Sequence, residues 1–414
     1  MSTHLAKIGE AVPTLQKATH SQTRAYNSQL VLRTIYDGDL ISRADVARST
    51  GLTRTTVSDL VGELLELGLA EEVGRGPSSG GKAPILLRVA DDSRHLIGVD
   101  LGESEFSGEV VNLRGEVRRS ARIPLDGRDG DEAVELVHRL MDELVEANDT
   151  PLVGIGIGTP GIIDTVSGTV RWAVSLNWQD LPLGRLIRER NELPVYVAND
   201  SQAAALAEYI FGTDRRANNM AVIRVGRGIG AGLILNGELF QGDGFGAGEI
   251  GHVTVDPDGV PCRCGRRGCL ETVASSRAMV EAAQRSIAEA PDSALGRLAA
   301  ESGGTVTIDI LARALAAGDE HALRIVDHAS RQLGRSIAGL IGMLDVHRIA
   351  LIGAATALGT PWLEQVQAEA ARSALSLQTR RSVVEIGRVD PARAVVLGAC
   401  AVLLTRELGL IPTR

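Results

Sequence analysis

Val222–Ser275 reads VIRVGRGIGAGLILNGELFQGDGFGAGEIGHVTVDPDGVPCRCGRRGCLETVAS, and its reading decides the fold. It opens as an apolar strand and runs into a glycine turn, Gly226-Arg-Gly-Ile-Gly230. Glu249 and His252 follow together. Cys262-x-Cys264-x4-Cys269 and Glu271 close the stretch. Three of the chain's 4 cysteines fall in that short run, ten residues after a histidine. Soft sulfur donors with one imidazole suit tetrahedral zinc. A disulfide between Cys262 and Cys264 would be badly strained, because one residue separates them. Four protein ligands close the shell and leave no position for water, so such a metal is structural rather than catalytic. The alternative, three unrelated buried cysteines, leaves the clustering unexplained.

The stretch resembles the signature of the ROK family, whose members are sugar kinases and sugar-responsive transcriptional repressors. The resemblance spans the glycine turn, the step Glu249-Ile-Gly-His252 and the cysteine knot, and spacings as well as residue types fit. It implies that His252, Cys262, Cys264 and Cys269 bind zinc. It also implies that Glu249, His252 and Glu271 contact sugar hydroxyls. The implied fold is α/β, an actin-like, ribonuclease-H-like ATPase domain with a cleft between two lobes.

The chain has 414 residues and a net charge of −9. That length suggests two or three domains with ample core. The acidic balance excludes a nonspecific or architectural polyanion binder, which needs an extended basic surface. The first 90 residues carry 10 Lys/Arg and 9 Asp/Glu, against 33 and 43 in the remainder. Any nucleic-acid work therefore belongs to the N-terminal end. Met1–Glu10 lacks the apolar core of a signal peptide. The longest apolar runs, such as Ala394–Leu404, fall short of the roughly 20 residues that cross a bilayer. Sparse cysteines in a metal-like cluster fit a reducing cytoplasm.

Residues 1–23 are polar and read as an N-terminal arm; 24–90 read as a winged helix-turn-helix. Helix one covers Tyr26–Tyr36, with Leu30, Val31 and Ile35 in its core face. Ser42 caps helix two, and Asp45 completes a capping-box-like pair. Gly51 permits the tight turn that follows. Thr53 caps helix three, whose Val57, Leu60, Val61, Leu64 and Leu65 face inward at helical spacing. That leaves Arg54, Thr55, Thr56, Ser58 and Asp59 outward near the helix start, where a recognition helix meets base edges in the major groove. Arg54 suits guanine; Thr and Ser serve bases or phosphates. Two short strands, Leu69–Val73 and Ile85–Val89, make a wing whose Arg75 and Lys82 supply charge to the DNA backbone. The competing reading is a small helical subdomain for packing or dimerisation. The wing, placed ahead of the ROK-like part, favours DNA.

Residues 91–414 alternate strand and helix, with the two lobes dividing near residue 205. Strands are expected at His95–Asp100, Gly108–Asn112, Val153–Gly158, Val195–Val197, Met220–Val225, Gly232–Leu235 and Ile349–Ile352. Helices are expected near 131–147, 202–211, 277–290, 308–317 and 321–344. Gly156-Ile-Gly-Thr-Pro-Gly161 matches the family's first sugar loop. Asn199-Asp200 follows an apolar strand and precedes an alanine-rich helix. A carboxylate there either caps that helix or accepts from a sugar hydroxyl. In a kinase Asp200 would be the general base. The family carries Asn-Asp at this place, which makes Asn199 and Asp200 the expected sugar contacts of the first lobe.

The nucleotide motifs depart from the family. Kinases open with Asp-x-Gly-Gly-Thr; here the run is Asp100-Leu-Gly102-Glu-Ser-Glu105. Glu103 and Glu105 place two anions where phosphate oxygens should sit. The second phosphate loop has Arg227 for threonine. Arg227 either holds a phosphate or pairs with Glu103 or Glu105 and closes the ATP site. The late adenine-side loop is Gly353-Ala-Ala-Thr356, where added methyls narrow the approach.

The pattern implies a sugar-responsive DNA-binding regulator, most simply a repressor of carbohydrate-utilisation genes and not an enzyme. Its partners are double-stranded operator DNA and a sugar or sugar phosphate, and the resemblance implies a homodimer or homotetramer. The alternative is an ATP-dependent sugar kinase with an appended DNA-binding domain.

Overall fold

The computed structural model describes residues 19–77, 83–146, 148–212 and 217–411. The chain forms two compact units, Met1–Ala90 and Asp91–Arg414.

In the first unit, helix His20–Gly38 starts with a capping box between Thr19 and Gln22 and buries Val31, Leu32, Ile35 and Tyr36. It begins inside the stretch read as an arm, and Leu32 takes the core place expected of the half-buried Leu30. Helix Arg43–Thr50 carries the Ser42–Asp45 capping box and ends at Gly51, whose φ of 71° is left-handed and whose N–H donates to Ala47. Helix Arg54–Glu66 is capped by Thr53 and buries Val57, Leu60, Val61 and Leu64, while Leu65 is half-buried. Strands β1 (Ile41–Ser42), β2 (Ala70–Arg75) and β3 (Ile85–Val89) form one antiparallel sheet in the order β1-β3-β2. Two-residue β1 has no alternation to read and was not expected. Three helices and this sheet make a winged helix-turn-helix.

The second unit holds two five-stranded sheets with the same plan. In the first, β4 (His95–Leu101), β5 (Glu105–Asn112) and β6 (Val117–Pro124) form an antiparallel meander. Then β7 (Leu152–Thr159) and β11 (Val195–Asn199) join β4 in parallel, giving the order β11-β7-β4-β5-β6. Between them, β8 (Ile162–Asp164), β9 (Thr169–Ala173) and β10 (Trp178–Leu181) make a small antiparallel sheet. The second large sheet repeats the arrangement. Strands β12 (Met220–Val225), β13 (Ile229–Leu235) and β14 (Glu238–Phe240) form the meander, and β15 (Arg348–Ile352) and β16 (Val383–Ile386) extend it in parallel from β12. Two copies of one plan facing a cleft are the actin-like, ribonuclease-H-like architecture.

Amphipathic helices seal each sheet. Helix Gly130–Glu146 buries Ala133, Leu136, Val137, Leu140, Met141 and Leu144 against the first. Full burial of one such leucine is worth roughly 1.5–3 kcal/mol. Helix Glu320–Leu344 is capped by Asp319 and stopped by left-handed Asp345, and its Val326, Leu333, Ile337 and Ile341 enter the second core. The chain does not divide cleanly near residue 205. The last helix, Ala394–Arg406, returns to the first sheet and packs on β4 and β7. Glycines make room for it: a Cβ at Gly156 would lie 2.2 Å from the Ala399 carbonyl oxygen. Fully buried Glu208 holds the approach to that helix, accepting from the N–H groups of Arg388 and Val389.

Candidate functional site

A cavity of about 540 Å³ opens between the lobes. One wall comes from the hairpin β12–β13 and the loop after β14. Gly248, at φ 98°, and Gly251 lie flat on β13; a Cβ on them would be 1.9 Å and 2.0 Å from the carbonyl oxygens of Ala231 and Ile229. No side chain fits there, and that close approach aims Glu249 and His252 into the cavity. Glu271 enters from the helical turn Glu271–Ala274 and is buried. The opposite wall is Pro160, Gly161, Ile162, Trp172 and Val174, with Asn199 and Asp200 at the end of β11.

All five expected sugar-binding residues, Asn199, Asp200, Glu249, His252 and Glu271, line this cavity. Their hydrogen bonding divides their roles. The Asn199 oxygen caps the following helix, accepting from the N–H groups of Ser201 and Gln202, and its amide donates to the Gly161 carbonyl at 2.9 Å. Asp200 Oδ1 accepts from Ser201 N–H at 2.6 Å, and Oδ2 pairs with Arg224 Nη1 at 2.7 Å. Burial, with Asp200 and Glu271 nearby, pushes the Glu249 carboxyl up to about 7. Burial, with Asp200 and Glu105 as neighbours and Arg224 opposing, raises Asp100 to about 6. Asp100 Oδ1 is buried with no hydrogen-bond partner.

His252, Cys262, Cys264 and Cys269 present ligand atoms all within 4.8 Å of one another. All four cysteines are free thiols. Cys264 and Cys269 sulfurs are 3.7 Å apart, and Cys262 Sγ is 3.6 Å from His252 Nδ1. A tetrahedron with metal–sulfur bonds of about 2.3 Å and metal–nitrogen bonds of about 2.1 Å has edges of about 3.8 Å and 3.6 Å. The donor set therefore fits a tetrahedral metal. A cation would also answer the electrostatics: burial and the neighbouring Cys264 and Cys262 push the Cys269 thiol up to about 12. With Nδ1 turned to the cysteines, His252 Nε2 faces Glu249, 3.9 Å away. One imidazole thus joins the His/Cys cluster to the cavity.

On the phosphate-motif side the two glutamates part company. Glu103 Oε2 meets Arg227 Nε at 3.4 Å, Arg263 Nη1 at 3.2 Å and Arg277 Nη1 at 3.9 Å. Glu105 does not share this seat; it pairs with Arg122 on β6 at 3.4 Å. The expectation of two anions at one place is thereby corrected. Glu103 lies in the turn between β4 and β5, whereas Glu105 opens β5 and pairs across to β6.

In the N-terminal unit Arg54, Thr55 and Ser58 are exposed on the recognition helix and Arg75 is exposed on β2. Thr56 is half-buried and bonds Thr53 Oγ1 at 2.9 Å, so it serves the cap rather than an open face. Lys82 lies outside the described residues. Arginines neutralise several of the unit's acids: Arg43 pairs with Glu72 at 2.8 Å, Arg88 with Glu71 at 2.6 Å, and Arg24 with Glu63.

The sequence profile of the ROK family matches residues 96–406. The chain belongs to the ROK family. It is 32% identical over 394 residues to the xylose repressor of Caldicellulosiruptor bescii, covering 94% of this chain and 98% of that one. A crystal structure of a ROK family transcriptional regulator, a homologue of the E. coli MLC protein, superposes with a TM-score of 0.80 at 26% identity, covering 94% and 98% of the two chains. A ROK family glucokinase from Streptomyces griseus, in complex with glucose and AMPPNP, superposes with a TM-score of 0.68 at 27% identity, covering 74% of this chain and 98% of the kinase. Both regulators thus match the greater part of this ROK chain, beyond what the kinase matches. Among the described residues no helix is long and apolar enough to cross a membrane.

Sequence reasoning missed several cavity residues of this ROK protein. Arg224 had a signal: a charge inside the apolar strand Val222-Ile-Arg-Val225 demands a partner. Trp172, 48% exposed at the cavity wall, had none, because tryptophan in a short strand reads as core. Arg263 and Arg266 were hidden among the cysteines.

Proposed function

We propose that this ROK chain is a sugar-responsive DNA-binding repressor of carbohydrate-utilisation genes, reading near-palindromic operators as a homodimer or homotetramer. The observation that carries the reading is a cleft lined by hydroxyl-binding groups in a chain that also bears a winged helix-turn-helix. The sugar sits between Asn199–Asp200 on one lobe and Glu249, His252 and Glu271 on the other. Carboxylates accept hydroxyl protons, and Trp172 offers its face to the ring's C–H groups. Binding draws on both lobes, so it favours one cleft geometry over another and shifts the spacing of the DNA-reading heads. Arg54, Thr55 and Ser58 meet bases; Arg75 and Lys82 meet phosphate. Thr56 keeps the recognition helix capped.

Zinc fits the cluster by donor chemistry and spacing, with His252, Cys262, Cys264 and Cys269 as ligands. It fixes the loop that presents His252 and closes against Glu271, a folding role rather than a catalytic one.

A kinase reading is weakened by two features. Arg224 holds one Asp200 oxygen, and the Ser201 N–H holds the other. Glu103 with Arg227 bridges the position where phosphate motifs operate in kinases. The methyl of Ala355, expected to narrow the adenine side, is buried in the second lobe's core instead. The protein is a sensor rather than an enzyme. Calorimetric titration of zinc-replete protein with MgATP, alone and with a sugar panel, tests this. The expected result is heat from a sugar and none from MgATP. Saturable MgATP binding with turnover of the sugar would sink the sensor reading.

A further inference from the structure

The joint between the two units is held at both ends and has no slack. At the end of the first unit, the Ala90 N–H donates to the Leu69 carbonyl at 3.1 Å. The next residue, Asp91, is already fixed within the second unit. Its carbonyl accepts from the Leu113 N–H at 3.0 Å, and its carboxylate accepts from Arg114 Nε at 3.0 Å. Asp92 follows in a two-pronged pair with Arg118, whose Nη2 meets Oδ2 at 2.8 Å. A Gly/Ser linker would let a unit tumble independently. Here no free residue separates the anchors, so whatever positions the hairpin β5–β6 also positions the chain leading to the helix-turn-helix. Buried Asn112 braces the turn of that hairpin, its Oδ1 accepting from the N–H groups of Arg114 and Glu116 at 3.0 Å each.

The same turn is gripped by the last helix, Ala394–Arg406. Arg393, at its N-cap, donates through Nη2 to the Gly115 carbonyl at 2.9 Å. It also forks onto Glu109 Oε2 of β5, with Nε at 2.9 Å and Nη2 at 2.8 Å. Along its length this helix has no cushion of side chains. A Cβ at Gly98 of β4 would lie 2.5 Å from the Val396 carbonyl oxygen, and one at Gly398 would lie 1.7 Å from the Ala203 carbonyl oxygen. Backbone therefore rests on backbone, and close-packed contacts of this kind pass a displacement on rather than absorb it. Ala203 belongs to the helix Asp200–Ala207, which starts in the cavity wall at Asn199 and Asp200. We propose that the last helix is the relay between the cleft and the DNA-reading unit: effector binding shifts Asp200–Ala207, that shift slides Ala394–Arg406 along the first sheet, and Arg393 delivers it through the β5–β6 turn to Asp91 and Asp92. The relay rests on the reading of the cleft as the effector site, whichever effector fills it. Small sliding of packed helices is a common form of such transitions. Arg393, Arg114 and Arg118 are positioning residues, for none of them lines the cavity.

The test measures two affinities and their coupling on the metal-replete full chain. Operator binding is read by anisotropy on a duplex selected from random DNA, while xylose, glucose, N-acetylglucosamine and their phosphates are titrated in. Calorimetry reads the affinity for the compound that acts. The wild-type chain is expected to lose about ten-fold or more of its operator affinity with one compound. Arg118→Gln and Asp92→Asn remove an exposed pair, so the fold stands. Each should keep both affinities within about three-fold of wild type yet cut the response to about three-fold or less. Arg393→Gln should do the same, and combining it with Arg118→Gln should cost no more than either alone, as links in series do. Arg190→Gln breaks a comparably exposed pair with Asp142 off this path and should keep the full response. A full response in Arg118→Gln and Arg393→Gln overturns the relay and leaves effector control standing. So does an equal loss in Arg190→Gln, or loss of the compound's own binding in the relay variants. A wild-type chain whose operator binding no compound changes overturns the effector reading and the relay together.

Discussion

Arg224 and the aspartates around it show how one side chain sets the chemistry of the cleft. Its guanidinium takes Asp200 at 2.7 Å and acts electrostatically on Asp100, whose Oδ1 is buried without a hydrogen-bond partner. Asp100 is raised to about 6, chiefly by burial, so the folded protein holds this proton more tightly than the unfolded chain does. The stability this group contributes is present below about pH 4 and falls as pH rises through about 6. Asp100→Asn is therefore expected to raise Tm by a few degrees at pH 7.5, about 1 to 3 kcal/mol, and to flatten the loss of Tm between pH 5 and 7.5. Calorimetric melts of both proteins across that range check it; parallel curves would contradict it. The recognition helix offers a second test. Arg54→Ala should weaken binding to a selected operator by about ten-fold or more and binding to random DNA far less. Equal losses in a fluorescence-anisotropy titration would mean that Arg54 touches only phosphate. At this scale the sequence was legible where chemistry is scarce. Cysteines, the histidine beside them and Glu249 stood out, and the fold sets the cysteine cluster beside the cavity that Glu249 and His252 line. Arginines are common, and which carboxylate each one meets depends on strands far apart in the chain, as with Arg263 and Glu103.

The cysteine knuckle owes its shape to two glycines with different jobs. Gly268, at φ 64°, presses so close to the Asp256 carbonyl oxygen that a Cβ would lie 1.4 Å from it; Gly265, at φ 86°, has open space around it. Gly268→Ala must displace the backbone that carries Cys269 and is expected to lose bound metal. Gly265→Ala bears only the left-handed penalty of about 1–2 kcal/mol and should retain it. Metal content after gel filtration distinguishes the two, and retention by both would contradict the assignment of Gly268. Elements with strong periodicity, such as Gly130–Glu146 and Glu320–Leu344, were readable within a residue or two of their ends. Several missed elements are short, though the eight-residue β6 and the helix Gly359–Ser373 were missed as well. Strands β8, β9, β14 and β16 have 3–5 residues each. The last helix, Ala394–Arg406, is apolar almost all round because it lies between the lobes, so it showed no amphipathic stripe.

At the scale of the whole molecule, repetition of one five-strand plan was invisible in the sequence, since the two halves share topology rather than residues. The lobes are also stitched across their boundary by the last helix and by Glu208. An effector that moved DNA binding from 99% to 1% must favour the weak-binding state by about 5.5 kcal/mol, more than one carboxylate contact supplies. The account therefore requires several of Asp200, Glu249, His252 and Glu271 to act together. Cys264→Ser should abolish the effector response along with the metal while leaving the N-terminal unit folded, since that unit has its own core and caps. Far-UV melts alongside metal analysis check this. The most direct test of the account is operator binding by metal-replete full chain, measured by anisotropy on a duplex selected from random DNA, with sugars and sugar phosphates titrated in. The account predicts tight sequence-selective binding that one compound weakens by at least ten-fold, with MgATP having no effect. No preference for any duplex over random DNA, or selective binding that no sugar or sugar phosphate changes, would contradict it.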